Sequence, residues 1–189
     1  AHSGLRARPG PLAVLLLVGP SGVGKDSIMA GIKAAAPQIR LVRRTITRTP
    51  DAGGEDYDAV GEGQFAKMAE SGLFCVHWSA HGLSYGIPAN VLSDVQNGID
   101  CLANFSRSAL PRAATVFPAV TVLNITAAPE TIARRLVGRG RESAAEITTR
   151  LAQAAKPVPE GMNVLTIRND GALNETVDDA LAALQPVRA

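Results

Sequence analysis

The chain has 189 residues, 46% of them hydrophobic and 19% charged, and a formal net charge of +2. This is a globular composition of single-domain size, long enough to bury a sound core and remote from the disordered class. The charge is too mild for a nucleic-acid-binding face, so local arginine clusters carry more information than the total.

Residues 1–10 open with Ala1-His2-Ser3 and no methionine, and read as an extension or expression remnant ahead of a domain over residues 11–187. The apolar run Leu12–Val18 is far shorter than the ~20 residues of a membrane span. A glycine-rich loop follows it directly, so it reads as a buried strand and no membrane association is expected. Lys25–Ala35 has helical patterning and stops before Pro37. Leu41–Thr47 reads as a second strand, and Thr49 to Gly63 as irregular. Gln64–Ser71 is a short helix, Leu73–Ser79 a strand, and His81 to Gly86 a turn-rich connection, with a helix after Pro88.

Ile99–Phe105 reads as a strand, Arg107–Thr115 as a short helix and Val120–Thr126 as a strand. Pro129 suits the first turn of a helix running to about Val137. A second helix, Ala144 to Ala154, follows an arginine-rich link. Val164–Ile167 is a strand, and Leu173–Leu184 the closing helix. Cys75 and Cys101 lie in strand-like stretches without metal-site spacing and read as small buried hydrophobes, which points to a reducing, cytoplasmic setting.

Strands and helices in alternation predict an α/β fold with a mostly parallel sheet flanked by helices on both faces. Right-handed crossovers bring the loop after the first strand to the carboxyl edge of that sheet. The middle of the chain, about residues 43–86, has strand signals of its own and suggests a small acceptor-binding subdomain. Oligomeric state is not legible in the sequence.

Gly19-Pro20-Ser21-Gly22-Val23-Gly24-Lys25 joins an apolar strand to a helix, the context that makes a glycine-rich string a P-loop. Its backbone N–H groups would face phosphates at a favourable helix end, and Lys25 would reach the terminal ones as a point charge. Asp26 stands where Ser or Thr commonly gives Mg²⁺ a hydroxyl. Two readings stand side by side. It is a hard-metal ligand, or it complements the positive helix end for ~0.3–1 kcal/mol. No strand ends in the apolar-run-plus-acid pattern of many ATPases and GTPases; Ile99–Phe105 has Asp100 at its start and Asn104 near its end. Direct transfer to a bound acceptor is therefore favoured over a hydrolysing motor or switch.

On these residues the chain resembles the P-loop NTPases of the guanylate kinase type, from Leu12 to about Leu184. The likeness runs through Gly19–Lys25, Thr45-Ile46-Thr47-Arg48-Thr49-Pro50, Gly54-Glu55-Asp56-Tyr57 and Tyr85-Gly86. It continues through Gly138-Arg139-Gly140-Arg141 and Asn169-Asp170. Departures fall where that family reads GMP: Cys75-Val76-His77-Trp78 and Asn104-Phe105-Ser106 lack the acids that accept from guanine. Asp51 replaces a phosphate-binding arginine, and Arg43 and Arg44 are added upstream.

The chain is more similar to the ribose 1,5-bisphosphate phosphokinases. The shared segments are Gly24 to Ser27, Arg43 to Arg48, Gly53 to Asp56 and Trp78 to Pro88, then Asn104 to Arg107, Ile125 to Ala127, Gly140 to Glu142 and Asn169 to Gly171. That resemblance implies ATP-dependent phosphorylation of a sugar bisphosphate to phosphoribosyl diphosphate, with Mg²⁺, in phosphonate utilisation. It also implies ATP contacts from Gly19 to Ser27, including Pro20, Ser21, Gly22 and Val23, and from Asn169. Lys25, Arg135, Arg139 and Arg141 would be catalytic, the last two in a lid over about residues 138–146. Arg44, Arg48, Glu55, Asp56, His81, Tyr85, Asn104 and Arg107 would hold the acceptor.

Converging arginines suit an acceptor with two phosphates. Transfer onto an ionised phosphate oxygen needs no general base, so His81 and Tyr85 are assigned to binding. Glu55 and Asp56 would hold metal-bound water or sugar hydroxyls, or else form a cap or loop ion pair. Trp78 is expected in the core. The alternatives are a guanylate kinase with a divergent base site and a catalytically silent binding module. The intact Lys25 and loop glycines speak against the module.

Overall fold

A computed structural model describes residues 14–20, 23–50, 55–140, 143, 145–149 and 158–184. In chain order its elements begin β1 (Val14–Val18), α1 (Lys25–Ala35), β2 (Arg40–Leu41), β3 (Thr45–Ile46), β4 (Asp58–Ala59) and α2 (Glu62–Glu70). Next come β5 (Phe74–Ala80), β6 (Leu83–Pro88), α3 (Ala89–Gln96), β7 (Cys101–Asn104) and α4 (Leu110–Val116). The chain closes with β8 (Val120–Thr126), α5 (Pro129–Arg139), β9 (Asn163–Arg168) and α6 (Leu173–Leu184).

Every residue of β1 is buried. Side chains alternate across a strand, and here they divide between two cores. Val14, Leu16 and Val18 pack with Val91, Leu110 and Phe117, whereas Leu15 and Leu17 pack with Ile28 and Ile32 of α1 and Val177 of α6. A strand buried on both faces belongs in the middle of a parallel sheet with helices on either side. That is where β1 lies: the order is β2-β7-β1-β8-β9, every pairing is parallel, and the expected fold class holds.

A second sheet has the order β4-β3-β6-β5. Its inward residues Ile46, Val76, Trp78, Tyr85 and Ile87 join the same core as Val14 and Leu16, so it packs onto one side of the parallel sheet. Here the structure corrects two expectations. Leu41–Thr47 is not one strand. Val42 N–H donates to Leu102 O as the last bond to the large sheet, Arg43 and Arg44 leave it, and Thr45–Ile46 joins the small one. β2 is a two-residue edge strand with Leu41 exposed, and beyond it the two arginines find carboxylate partners in Asp58 and Glu55.

The second correction concerns the segment after His81. It is the strand β6, antiparallel to β5, with Ala80 opposite Leu83. His81 and Gly82, with φ of 54° and 76°, form the two-residue connection. Left-handed backbone at both central positions is the type I′ geometry that matches strand twist. The Thr49 to Gly63 stretch also holds β4 and the first residues of α2, and its residues 51–54 lie outside the described part.

Of the expected Ala144 to Ala154 helix, residues 145–149 are described and helical. Cys101 is buried, which pushes its thiol up to about 11, and Cys75 is half-buried; neither forms a disulfide. Among the described residues no helix is long and apolar enough to cross a membrane.

Candidate functional site

The strands of the parallel sheet all end on one edge, where ligands bind in open α/β sheets. Five segments leave it there: the loop from Gly19, the link Val42–Arg44, Phe105–Arg107, Ala127, and Asn169. Chain topology thus gathers residues far apart in sequence around one cleft.

Gly24 caps α1 with a φ of 95°, a backbone only glycine adopts without strain. A Cβ there would also come within 2.6 Å of Asn169 Nδ2. Lys25 opens the helix and folds its ammonium back over the loop, donating to Gly19 O at 2.7 Å. Burial lowers the Lys25 pKa to about 8; Arg44 and Arg107 push the same way, while Asp26 and Glu55 oppose them. The ammonium therefore sits among cations in a place poorly solvated by water, a setting that favours an incoming polyanion.

Arg44 is buried at 5% exposure and forms a two-pronged ion pair with Glu55, Nε to Oε1 at 2.6 Å and Nη2 to Oε2 at 2.5 Å. Arg48 Nη2 lies 3.8 Å from the same Oε2. Each guanidinium also covers a tyrosine ring, Arg44 at 4.8 Å from the Tyr85 centroid and Arg48 at 4.5 Å from that of Tyr57. Tyr85 stacks on Trp78, and Phe105 lies tilted against Trp78, so a run of three rings carries Arg44 at its Tyr85 end. Trp78 is in the core, as expected, with its indole N–H donating to Ser106 Oγ at 2.9 Å. The hydroxyl of Tyr57 donates to Thr49 O. Arg48 Nε is buried without a hydrogen-bond partner among the described residues, a donor held in reserve beside the cleft.

Arg107 follows the end of β7 and donates from Nη2 to Asn124 Oδ1 at 3.4 Å. Asn104 is buried at the end of β7, in register with Leu17 of β1. Lys25, Arg44, Arg48, Glu55 and Arg107 thus come together, with Tyr85 beneath. Asp56 does not join them: it pairs with the exposed Arg43, which also bonds Asp58 and the Tyr57 carbonyl. His81 is exposed at the tip of the β5–β6 hairpin. Asp26 is half-buried and Ser27 exposed in the first turn of α1. Ser21, Gly22 and Arg141 lie outside the described residues, as does the side chain of Arg139.

Beneath the loop is a contact that sequence reading did not anticipate. Asn169 Nδ2 donates to Val23 O at 2.8 Å, and Thr176, unremarked in the sequence, donates its hydroxyl to Asn169 Oδ1 at 2.8 Å. Arg135 donates to Val23 O at 3.1 Å and to Asn169 O at 2.7 Å. Next to it, Asp170 accepts from Ala128 N–H at 2.7 Å, just ahead of α5; that bond, with Arg168, keeps its carboxyl below the usual range.

Residues 12–187 match the guanylate kinase family. A ribose 1,5-bisphosphate phosphokinase from Ruegeria sp. (strain TM1040) is 48% identical over 177 residues, covering 93% of each chain. Another from Agrobacterium fabrum is 43% identical over 175 residues, covering 91% of this chain and 96% of the relative. Among solved structures, the guanylate kinase of Anaplasma phagocytophilum superimposes with a TM-score of 0.61 at 19% identity, covering 93% of this chain and 84% of that one.

Proposed function

The chain belongs to the guanylate kinase family and, within it, to the ribose 1,5-bisphosphate phosphokinases, and from that premise we propose that it phosphorylates α-D-ribose 1,5-bisphosphate with ATP. The products are 5-phospho-α-D-ribose 1-diphosphate and ADP. One observation carries the reading: Lys25, at the end of the glycine-rich loop, lies within electrostatic reach of Arg44 and Arg107, and Arg48 shares Glu55 with Arg44. No acid stands at the two places where the guanylate kinase type reads its base. Residues 75–78 have none, and β7 ends on Asn104.

An ionised oxygen of the acceptor's 1-phosphate attacks the γ-phosphorus of ATP. As the new P–O bond forms, the bond to the β–γ bridging oxygen breaks and its electron pair leaves with ADP. No proton has to move, so no base is required. Such transfers depend on positioning and charge stabilisation. Lys25 meets the terminal phosphates as a compact cation, and Arg44, Arg48 and Arg107 hold the acceptor's phosphates. Arg139 and Arg141 would supply further positive charge to the transferring group.

The described residues contain no cluster of three or more metal-ligating side chains. Mg²⁺ keeps several waters and binds through one or two carboxylates plus substrate phosphates, and Asp26, half-buried in the first turn of α1, offers one such carboxylate. Asp26 would be the protein's ligand, directly or through water. Bound there with ATP, the ion would supply positive charge to offset the negative charge of the phosphates.

An ADP-release assay with ribose 1,5-bisphosphate, ribose 5-phosphate, AMP and GMP tests the assignment. The bisphosphate is expected to exceed GMP in kcat/KM by at least about 100-fold, since a polar site rejects mismatched partners strongly. Comparable turnover of GMP would instead mean a guanylate kinase.

Lys25 gives a pH prediction with a definite sign. Its ammonium loses its proton in the free enzyme at about 8, and bound phosphates raise that value. ATP affinity should therefore be flat below pH 8 and weaken above it, by up to about tenfold per pH unit. Calorimetric titration from pH 6.5 to 9.5 checks this, and affinity that improves with rising pH contradicts it.

A further inference from the structure

Two side chains distant in sequence converge on a single carbonyl oxygen of the phosphate loop. Val23 O accepts from Asn169 Nδ2 at 2.8 Å and from Arg135 Nη1 at 3.1 Å. The pair is braced in turn. Arg135 Nη2 donates to Asn169 O at 2.7 Å, Asn169 N–H donates to Thr126 O at 2.7 Å, and the Thr176 hydroxyl fixes the amide by donating to Oδ1 at 2.8 Å. Asn169 and Thr176 are buried, at 5% and 3% exposure. Two donors on one oxygen satisfy both its lone pairs.

The Val23–Gly24 peptide is trans. In a trans peptide the carbonyl of one residue and the N–H of the next point to opposite sides. Holding Val23 O against Asn169 and Arg135 therefore turns Gly24 N–H the other way, away from both side chains. Gly24 also seats the loop closely on Asn169, with no room between them for a Cβ.

We infer that Asn169 and Arg135 are positioning residues: they lock the Val23–Gly24 peptide so that Gly24 N–H is presented to ATP's phosphates, without touching the nucleotide themselves. The inference rests on the ATP reading of the loop proposed above. It differs from the direct roles that the family resemblance implies, ATP contact for Asn169 and charge stabilisation for Arg135. A loop aimed before the ligand arrives saves reorganisation on binding.

The test combines kinetics with amide NMR on the full chain, using Arg135→Ala, Arg135→Lys and Asn169→Ala. Arg135→Ala and Asn169→Ala are expected to raise KM for ATP about 10- to 100-fold, with KM for the acceptor within about twofold of wild type. Lysine reaches one of the two carbonyls, so Arg135→Lys should recover part of the loss. In the ligand-free protein the Gly24 amide resonance should move in both alanine variants, and its large shift on adding ATP should shrink. A role confined to stability would lower Tm and leave KM for ATP and the Gly24 response unchanged in the folded fraction.

Two results overturn the inference. One is an unmoved Gly24 amide in folded Arg135→Lys and Arg135→Ala. The other is a kcat loss near 10³-fold at unchanged KM for ATP, which would make Arg135 a direct stabiliser of the transferring group. Wild-type protein that binds no ATP in the same titration would bring down the kinase reading and this inference together.

Discussion

Lys25→Ala is expected to lower kcat for phosphoryl transfer by at least about 10³-fold, the upper end for loss of one preorganised donor at a developing charge. The fold should survive the change. Helix α1 is held by Ile28, Met29 and Ile32 in the core, and none of them depends on the lysine. The ammonium is itself a burden to the empty protein, because burial and Arg44 lower its pKa to about 8. A lysine whose folded pKa is depressed destabilises the native state wherever the unfolded chain still carries the proton, here up to about the model-peptide value of 10.4. Tm at neutral pH is therefore expected to hold or rise while turnover collapses. Circular-dichroism melts beside steady-state rates would read both, and near-normal turnover in this variant would remove the P-loop assignment.

Glu55→Ala should produce the largest stability change at the site. It strips the counter-ion from Arg44, whose side chain is 6% exposed against 12% for Glu55. Removing one partner of a buried ion pair costs about 3–5 kcal/mol, because the other charge stays buried. The pair lies at a cleft edge where solvent and anions can reach it, so the lower end applies; for a domain of this size that is a fall in Tm of roughly 6–12 °C. Inorganic phosphate should restore much of it by taking the place of the lost carboxylate. A ligand at 100 times its Kd contributes about 2.7 kcal/mol.

Arg44→Ala breaks the same pair from the other side and leaves an anion, so phosphate should not rescue it. Thermal-shift measurements with and without phosphate separate the two variants. Equal rescue in both would show that Glu55 does not act as the stand-in anion of an empty acceptor site.

What could be read from sequence was what depends on neighbours along the chain. The strand β1 and its loop declared themselves because an apolar run, spaced glycines and a lysine lie side by side. Arg44 and Arg107 could be placed because strand ends share an edge, a rule that needs no contacts, whereas Arg48 follows β3 of the small sheet and lies outside that rule. The β5–β6 hairpin was legible in principle: Val76 and Trp78 alternate on one side of His81-Gly82, and Tyr85 and Ile87 on the other. A histidine at positive φ hid the turn, since Asn or Asp before glycine is the commoner signal.

The break at Arg43-Arg44 was hidden by apolar neighbours that suit either sheet. The Arg44–Glu55 pair joins residues 11 apart with no periodic pattern between them, and Asn169 lies 146 residues from its partner Val23. Nothing local encodes such pairs. Thr176 carries no signal at all beyond its place on the closing helix.

The placement of β1 has a consequence for the chain before it is whole. Among the described residues its strand partners are β7 and β8, so this apolar segment is made well before anything it pairs with. At about 5–20 residues per second, the ribosome needs on the order of 4–17 s to get from Val18 to Cys101. Through that interval Val-Leu-Leu-Leu-Val has no ladder to join and must be shielded by helix α1 or by a chaperone. A ribosome stalled before residue 101 should present this segment to holdases, and one stalled past Thr126 should have withdrawn it.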